Sequence, residues 1–254
     1  MQQALGVKHI DLNCDLGELH PISGENHDRL IMPFISSCNV CCGFHSSNPV
    51  VIEQTIQLAI KFGIKIGAHP SYKDRDNFGR KSIDQEVSKT IAELRYQIGA
   101  LKSITESMGS ELVHVKAHGA LYHDIHRNES LAEAYIELIK SFGSEIRIMG
   151  MAGSRLADMC KQESVEYINE SFADRVYASA TGLRSRSLSN SVIEDPVKIK
   201  QQVEQIINGC IVDHKGLKHV LKADSICLHS DTHGSVTLAE TIHSYLKSRG
   251  VEIC

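Results

Sequence analysis

The stretch CNVCCGFHSSNPVVIEQTIQLAIKFG, residues 38–63, contains one complete β/α unit. Its apolar run, Cys38–Cys42, has the length of a buried strand, and a polar connection follows it. Asn48 followed by Pro49 is a typical N-cap and first helical residue, and Gly63 ends the amphipathic segment. The pattern predicts a strand, a short loop and a helix, in that order.

The same alternation of apolar run, polar cluster and amphipathic segment recurs along the chain. It predicts strands at His9–Leu12, Cys38–Cys42, Lys65–Ala68, Leu112–Lys116, Arg147–Met151, Tyr167–Ser171 and Ser225–Leu228. Further helices are predicted from Asp84 towards Gly109, from Glu129 to Phe142, from Pro196 to near Gly209 and from Ser235 to Gly250. About seven β/α units are enough for a closed or nearly closed α/β barrel.

Composition narrows the class of protein. The chain has 254 residues, 42% of them hydrophobic and 23% charged, with a formal net charge of -4. This balance supports a sizeable core and gives no basic patch for nucleic acid or anionic lipid. The N-terminal MQQALGVKHIDLNCDLGE lacks the pattern of a leader, and no later segment is long enough to span a bilayer. We therefore expect one cytoplasmic domain, residues 1–254, with small-molecule chemistry.

The eight cysteines are too sparse for a disulfide scaffold in a chain of this length. Cys38 and Cys41 have CxxC spacing, but Cys42 directly follows them and there is no second CxxC. Buried, reduced thiols are favoured over structural zinc or redox chemistry.

Polar or ionisable side chains lie at the end of nearly every predicted strand. They are Asp11, Asn13, Asp15 and Glu18, then His45, His69, Lys116, His118, Asp174, Arg175, His229, Asp231 and His233. Active sites of parallel α/β folds lie beyond the carboxyl ends of the strands. We expect these groups to meet in one mouth of the barrel.

Strand alternation places Asp11, Asn13 and Asp15 on one side of their strand. Together they can hold a cation, orient an amide substrate or perturb one another's pKa; the alternative is a buried network that closes the barrel end. Lys116 and His118 also share one side. A lysine beside carboxylates stays charged and can stabilise an oxyanion or a phosphate, whereas a desolvated lysine can act as a base.

His45, His69 and Asp15 offer nitrogen and oxygen ligands for a metal, although no HExxH motif or tandem CxxC supports such a site. GxxxxGK[ST], GxGxxG after a strand and GxSxG are also absent. A conventional P-loop, dinucleotide site or serine elbow is therefore not expected.

The segment from Ala178 to Asp195 has no clear periodicity and is predicted to be a long loop. Loops of this length in compact domains are usually lids, binding loops or mobile excursions. Both a lid over the active site and a mobile surface loop remain open.

Six motifs occur in the order found in one family. They are DLNCDLGE (Asp11–Glu18), SSCNVCCGFHSSNP (Ser36–Pro49), GAHPSYKDRDNFGR (Gly67–Arg80), HVKAHGALY (His114–Tyr122), ESFADRVY (Glu170–Tyr177) and ICLHSDTHGSVTLA (Ile226–Ala239). Over nearly its whole length the chain resembles LamB/YcsF proteins. The resemblance implies a seven-stranded, TIM-like β/α barrel of the glycoside hydrolase/deacetylase type.

The activity implied by the resemblance is cleavage of the 5-oxoproline lactam to L-glutamate, coupled to hydrolysis of ATP with its usual Mg²⁺. It also implies two partner subunits, B and C. The catalytic candidates are Asp15, Lys116, His118 and Asp231. The substrate-binding candidates are Asp11, Asn13, Asn39, His45, His69, Arg75 and Arg175, the two arginines for the substrate carboxylate.

The chain departs from the family pattern at several positions, which leaves two alternatives open. Asn48 stands where Asp is usual, Ala117 and His233 replace Pro, Ser230 replaces Gly, and Ala180–Thr181 replaces Asp-Gly. One alternative is a metal-dependent amidohydrolase or deacetylase that acts alone. The other is a non-catalytic member that binds a lactam or regulates a partner.

Overall fold

Seven parallel strands close into a barrel in the computed structural model, which describes residues 8–18 and 27–254. The strands in chain order are β1 (His9–Leu16), β2 (Ser37–Cys41), β3 (Lys65–His69), β4 (Leu112–Val115), β5 (Arg147–Met151), β6 (Tyr167–Phe172), β7 (Tyr177–Ser179), β8 (Gly182–Leu183), β9 (Cys210–Val212), β10 (Lys218–Val220), β11 (Ser225–His229) and β12 (Glu252–Ile253). The barrel follows the order β1 to β6 and then β11, which pairs back with β1. The predicted seven-stranded α/β barrel is confirmed.

Helices follow the barrel strands. They are α1 (His27–Ile31), α2 (Pro49–Phe62), α3 (Val87–Ser107), α4 (Gly119–Arg127), α5 (Glu129–Lys140), α6 (Arg155–Gln162), α7 (Pro196–Ile207) and α8 (Ser235–Ser248), with a 3₁₀ turn at Met32–Phe34. None of the helices within the described ranges is both long and apolar enough to cross a membrane. The start of the chain, where we expect no leader, includes residues 1–7, which lie outside the described residues.

The unit after β2 forms as its sequence predicts. Asn48 Oδ1 accepts a hydrogen bond from the Val51 amide at 3.1 Å, Pro49 is the first helical residue, and Gly63 ends α2 with φ 68°. Elsewhere, the segment opening at Asp84 becomes helical only at Val87. Periodicity did not reveal α4, α6 or the two hairpins β7–β8 and β9–β10.

Alternation along β1 separates two kinds of core. Leu12, Cys14 and Leu16 are fully buried in the apolar layer between barrel and helices. Asn13 and Asp15 point into the barrel, where their partners come from neighbouring strands. The barrel interior is thus polar, and apolar packing on its outside supplies the hydrophobic burial.

The middle of this interior is filled by amides and an imidazole. Asn13 donates to Ser225 Oγ at 2.7 Å, and Asn39 donates to Asn13 Oδ1 at 2.8 Å. His114 Nε2 lies 2.7 Å from Asn39 Oδ1. Gly67 makes room for this ring, because a Cβ at that position would lie 2.0 Å from His114 Nε2. Buried polar groups of this kind are stable only when hydrogen-bonded.

All eight cysteines are free thiols, and six of them are buried. The expected burial is therefore confirmed for most of them, and their reduced state stays a prediction. Cys42 is only partly exposed, and desolvation raises its pKa to about 12, so this thiol stays protonated near neutral pH.

Candidate active site

A cavity of about 670 Å³ opens at the carboxyl ends of the barrel strands. Asp15, His69 and Lys116 form part of its floor, and Asp231 lies on its wall. The connection after β6 supplies another wall through residues 183–187. The loop predicted at Ala178–Asp195 therefore borders the cavity, and β8 gives part of it regular structure.

Lys116 is the central cation of the floor. Its Nζ lies 2.8 Å from Asp15 Oδ1, 2.7 Å from Glu170 Oε1 and 3.2 Å from Cys227 Sγ. Burial pulls the pKa of Lys116 down, but Asp15, Cys227 and Glu170 raise it, and the result lies well above the ordinary value. The ammonium therefore remains charged, which is the first of the two states that the sequence leaves open.

Beside Lys116 lies a group of four side chains that we call the histidine–carboxylate cluster: Asp15, Glu18, His69 and His118. His69 Nε2 is 3.0 Å from His118 Nδ1 and 3.3 Å from Asp15 Oδ2. Glu18 Oε1 is 3.3 Å from His118 Nδ1 and 3.9 Å from His69 Nε2. All four residues line the cavity.

Backbone carbonyls fix the tautomers of both cluster histidines. His69 Nδ1 lies 2.8 Å from the carbonyl oxygen of Lys116, and His118 Nε2 lies 2.8 Å from that of Phe78. A carbonyl oxygen only accepts, so each of these ring nitrogens carries a proton. In the neutral rings, His69 Nε2 and His118 Nδ1 therefore expose lone pairs to each other.

His45 supports the cluster from behind. Its ring stacks on His118 with centroids 3.7 Å apart, and its Nε2 lies 2.9 Å from Glu18 Oε1. Its Nδ1 lies 2.8 Å from Ser71 Oγ. Burial, followed by the neighbouring His118, lowers the pKa of His45 to about 3, so the ring is neutral. His45 belongs to the site without lining the cavity.

The cavity wall is rich in guanidinium groups, from Arg80, Arg127, Arg175, Arg184 and Arg186. The Asp231 carboxylate forms an ion pair with Arg80, and its Oδ2 lies 3.3 Å from Arg186 Nη1. Burial alone would raise the pKa of Asp231, but Arg186, His229 and Arg80 lower it. Asp231 is thus ionised and organises two arginines, which does not favour its predicted acid/base role. The wall suits an anionic ligand.

Arg175 lines this wall, with part of its guanidinium committed to the loop. Its Nη2 donates to the Arg184 carbonyl at 2.6 Å, and its Nε donates to the Ser191 carbonyl at 3.3 Å. Burial and then Arg186 lower its pKa to about 10, so it is still charged near neutral pH. These bonds attach the loop to the barrel rim.

The end of β11 is held by Asp174. Its carboxylate accepts from the His229 amide at 3.1 Å and from the Thr232 hydroxyl at 2.9 Å, and it lies 2.9 Å from His229 Nδ1. Burial alone would raise the pKa of Asp174, but His229 and then Arg186 bring it down to about 2. Asp174 therefore positions His229 at the cavity edge.

The structure gathers most of the site residues predicted from the sequence. Those lining the cavity are Asp15, His69, Lys116, His118, Arg175 and Asp231, with His45 directly behind. Asn13 and Asn39 lie one layer deeper. Lys116 Nζ is 3.3 Å from Asn13 Oδ1, and Asn39 donates to Asp15 Oδ1 at 2.9 Å, so both amides position charged groups.

Asp11 and Arg75 do not reach this cavity. Asp11 accepts from the hydroxyls of Ser36 and Ser37 at 2.7 and 2.8 Å and lines an opening at the amino end of the barrel. Arg75 donates to the carbonyls of Gly43 and Ser47 at 2.6 and 2.8 Å and braces the loop after β2. The cavity therefore gives no support to their predicted contact with substrate, which stays a prediction.

The predicted metal ligand set also changes. His45 lies behind Glu18 and His118, and Asp15 is grouped with His69 and His118 instead. The sequence analysis placed Glu18 among the groups at the mouth without a role of its own, and it gave no role to Glu170 or to most arginines of the wall. Glu170 carried a partial signal, because an acidic residue inside a predicted buried strand needs a partner, but the sequence does not say which one.

Fold and site together define a β/α-barrel protein with a charged cavity at the carboxyl ends of its strands. The chain belongs to the LamB/YcsF family, whose sequence profile matches residues 10–254.

Similar proteins cover almost the whole chain. The 5-oxoprolinase A subunit of Acinetobacter baylyi is 37% identical over 245 residues, 96% of each chain. That of Cutibacterium acnes is 36% identical over 249 residues, 96% of this chain and 97% of the relative. The lactam utilization protein from Thermus thermophilus has 31% sequence identity and a TM-score of 0.87, covering 96% of this chain and 98% of its own.

Proposed function

We propose that this chain is the A subunit of a cytoplasmic, ATP-dependent 5-oxoprolinase that opens the lactam of 5-oxoproline to give L-glutamate. Relatives of that name at 36–37% identity support the activity. The observation that carries the chemistry is the Lys116 ammonium held between Asp15 and Glu170, beneath an arginine-rich wall.

The lactam explains why ATP is needed. A five-membered lactam keeps its amide resonance, and glutamate tends to cyclise, so attack by water alone is slow and poorly driven. Phosphorylation of the lactam oxygen makes the ring carbon electrophilic. Water adds to that carbon, the ring C–N bond breaks as its nitrogen takes up a proton, and a second water releases phosphate from the resulting acyl phosphate to give glutamate. Because the sequence has no P-loop, we assign ATP, with its Mg²⁺, to surfaces contributed by the partner subunits B and C.

Each part of the cavity has a role in this scheme. Lys116 stabilises negative charge that develops on the lactam oxygen, or the phosphate attached to it. The histidine–carboxylate cluster is placed to activate the attacking water. The wall, including Arg175, binds the substrate carboxylate. Asp231 keeps Arg80 and Arg186 in place.

The test measures glutamate released from 5-oxoproline and ATP, first with this chain alone and then with B and C subunits added. We expect turnover only in the complete mixture, and a fall of about 10²–10³-fold in kcat when Lys116→Met replaces the wild type. Lys140→Met, a change in an exposed ion pair, should retain full activity. No glutamate in either mixture would exclude the proposed function.

The cluster also favours a second candidate, hydrolysis of a carboxamide or acetamide by this chain alone with a bound metal. Asp15, His69 and His118 offer one carboxylate and two imidazole ligands beside the cavity. This activity requires neither ATP nor partner subunits. Chelators should abolish this amide hydrolysis, and ATP should not affect it. Both results together would support the metal-dependent hydrolase over the 5-oxoprolinase.

A further inference from the structure

We propose that the histidine–carboxylate cluster binds one divalent transition-metal ion of the zinc type, through His69 Nε2, His118 Nδ1, Asp15 Oδ2 and Glu18 Oε1. The inference concerns metal binding itself, so it stands independently of the lactam chemistry. It is carried by ligand spacing, by the tautomers of the two histidines and by the partners that surround the four ligand atoms.

Three of the ligand atoms, on Asp15, His69 and His118, lie within 4.8 Å of one another, a spacing that one small ion can bridge, and Glu18 Oε1 lies beside the two histidines. Zinc lies about 2.0–2.1 Å from nitrogen and oxygen ligands, so the ligands of a tetrahedral site are roughly 3.3 Å apart. The distances from His69 Nε2 are 3.0 Å to His118 Nδ1 and 3.3 Å to Asp15 Oδ2. Glu18 Oε1 is 3.3 Å from His118 Nδ1 and 3.9 Å from His69 Nε2.

When both imidazole rings are neutral, these tautomers leave no hydrogen-bond donor in the space between the four ligand atoms. His69 and His118 each donate a hydrogen bond from one ring nitrogen to a backbone carbonyl. The other ring nitrogen then faces the cluster with a lone pair. Two lone pairs and two carboxylate oxygens then face one another and repel. A cation removes that repulsion, and a carbonyl bond on the distal nitrogen is how ligating histidines are usually oriented.

The carboxylates of Asp15 and Glu18 each have a contact outside the cluster as well as an oxygen that faces it. Asp15 presents Oδ1 to Lys116 and Asn39, which leaves Oδ2 for the cluster. His45 contacts Glu18 from behind and fixes its Oε1. Each proposed carboxylate ligand thus has an outer partner that orients it, the arrangement expected around a metal.

Other nearby groups of possible ligands are less suitable as metal sites. Asp15 also lies near Cys227 and His229, but the Lys116 ammonium, 3.2 Å from Cys227 Sγ, would repel a cation there. His45 has contacts at both ring nitrogens, with Ser71 and Glu18. Two nitrogen and two oxygen ligands suit Zn²⁺, Co²⁺ or Mn²⁺ better than Mg²⁺ or Ca²⁺, which prefer oxygen alone.

The experiment measures binding in the absence of substrate. The full chain is stripped with chelator and titrated with Zn²⁺ and Co²⁺, followed by calorimetry and elemental analysis. We expect one equivalent of metal, a visible Co²⁺ absorption typical of nitrogen and oxygen ligands, and a rise in Tm of at least about 5 °C at a hundredfold excess over Kd. A folded, stripped chain that takes up neither ion overturns the proposal.

Variants locate the ion. His118→Gln should weaken binding at least about tenfold, whereas His126→Gln, which changes a partly buried histidine outside the cluster, should bind like the wild type. Equal binding by folded His118→Gln places the ion elsewhere and refutes the ligand set. If His118→Gln does not fold, Glu18→Gln provides the same comparison, and the wild-type titration stands on its own. Because no lactam is present, these results are separate from the test of activity.

Discussion

Replacing Lys116 with Met tests the central feature of the site, a buried ammonium shared by two carboxylates. Methionine preserves most of the side-chain volume and removes the charge. Lys116 is only 2% exposed, and its Nζ lies 2.8 Å from Asp15 and 2.7 Å from Glu170. The substitution leaves both carboxylates buried without their shared cation.

The cost is that of removing one partner from a buried ion pair, about 3–5 kcal/mol. Single domains are stable by roughly 5–15 kcal/mol, so the variant should lose a large part of its free energy of unfolding. For a chain of this size, Tm should fall by roughly 6–20 °C. If the ammonium also stabilises an oxyanion, kcat should fall about 10²–10³-fold.

Urea unfolding followed by circular dichroism measures the first effect, and glutamate release by the complete enzyme measures the second. Lys140→Met is the matched control, because Lys140 pairs with Glu137 and Glu163 on the surface. Exposed pairs contribute little to stability, so this control should unfold at nearly the same urea concentration as the wild type.

Adding Glu170→Gln to Lys116→Met separates stability from chemistry. The second change removes one of the stranded charges, so it should restore part of the free energy of unfolding while activity stays low. A Lys116→Met protein that unfolds at the wild-type urea concentration with the wild-type slope would refute the argument for a stabilising buried pair. Undiminished kcat would refute the electrostatic role.

Three other changes test the framework. Asp174→Asn should lower the free energy of unfolding by about 2.6 kcal/mol near neutral pH, from a folded-state pKa of about 2 against roughly 3.9 unfolded. Urea titrations should show this difference shrinking as pH falls from 4 to 2, because the depressed pKa stabilises only the ionised form. Gly67→Ala should destabilise by about 1–3 kcal/mol through collision with a histidine ring, whereas Gly99→Ala, with ordinary contacts in a helix, should be neutral or stabilising in the same thermal melts. Asn48→Ala should cost about 1 kcal/mol by chemical denaturation, while Asn48→Asp preserves the cap.

The sequence predicted all seven barrel strands because each combines an apolar run with a polar boundary. The helix N-cap at Asn48 and the helix end at Gly63 also depend only on neighbouring residues, and both formed as expected. Helix α4 was missed because its N-cap, His118, makes no side-chain capping bond. Helix α6 has only eight residues, too few for its apolar period to stand out from the surrounding loop.

Predictions for the site succeeded where chain direction alone decides position. His69 and Lys116 converge because parallel strands end on the same side of a barrel. The position of Arg75 could not be predicted because its partners are the backbone carbonyls of Gly43 and Ser47. These residues are distant in sequence, and no side chain indicates the contact. Glu170 was overlooked because its place within a strand indicates only that it needs a partner, and that partner, Lys116 at 2.7 Å, is distant in sequence.

The misplacement of Asp11 shows what strand alternation leaves undetermined. Alternation assigns Asp11, Asn13 and Asp15 to one side of β1, but at about 3.3 Å per residue it also separates the first from the last by roughly 13 Å. Asp11 therefore meets serine hydroxyls at the amino end, while Asp15 meets Lys116 at the mouth. Asn13 lies between them and bonds to its neighbours. Only the last of the three faces the cavity, so depth along the strand, as well as direction across it, decides which acid can take part in chemistry.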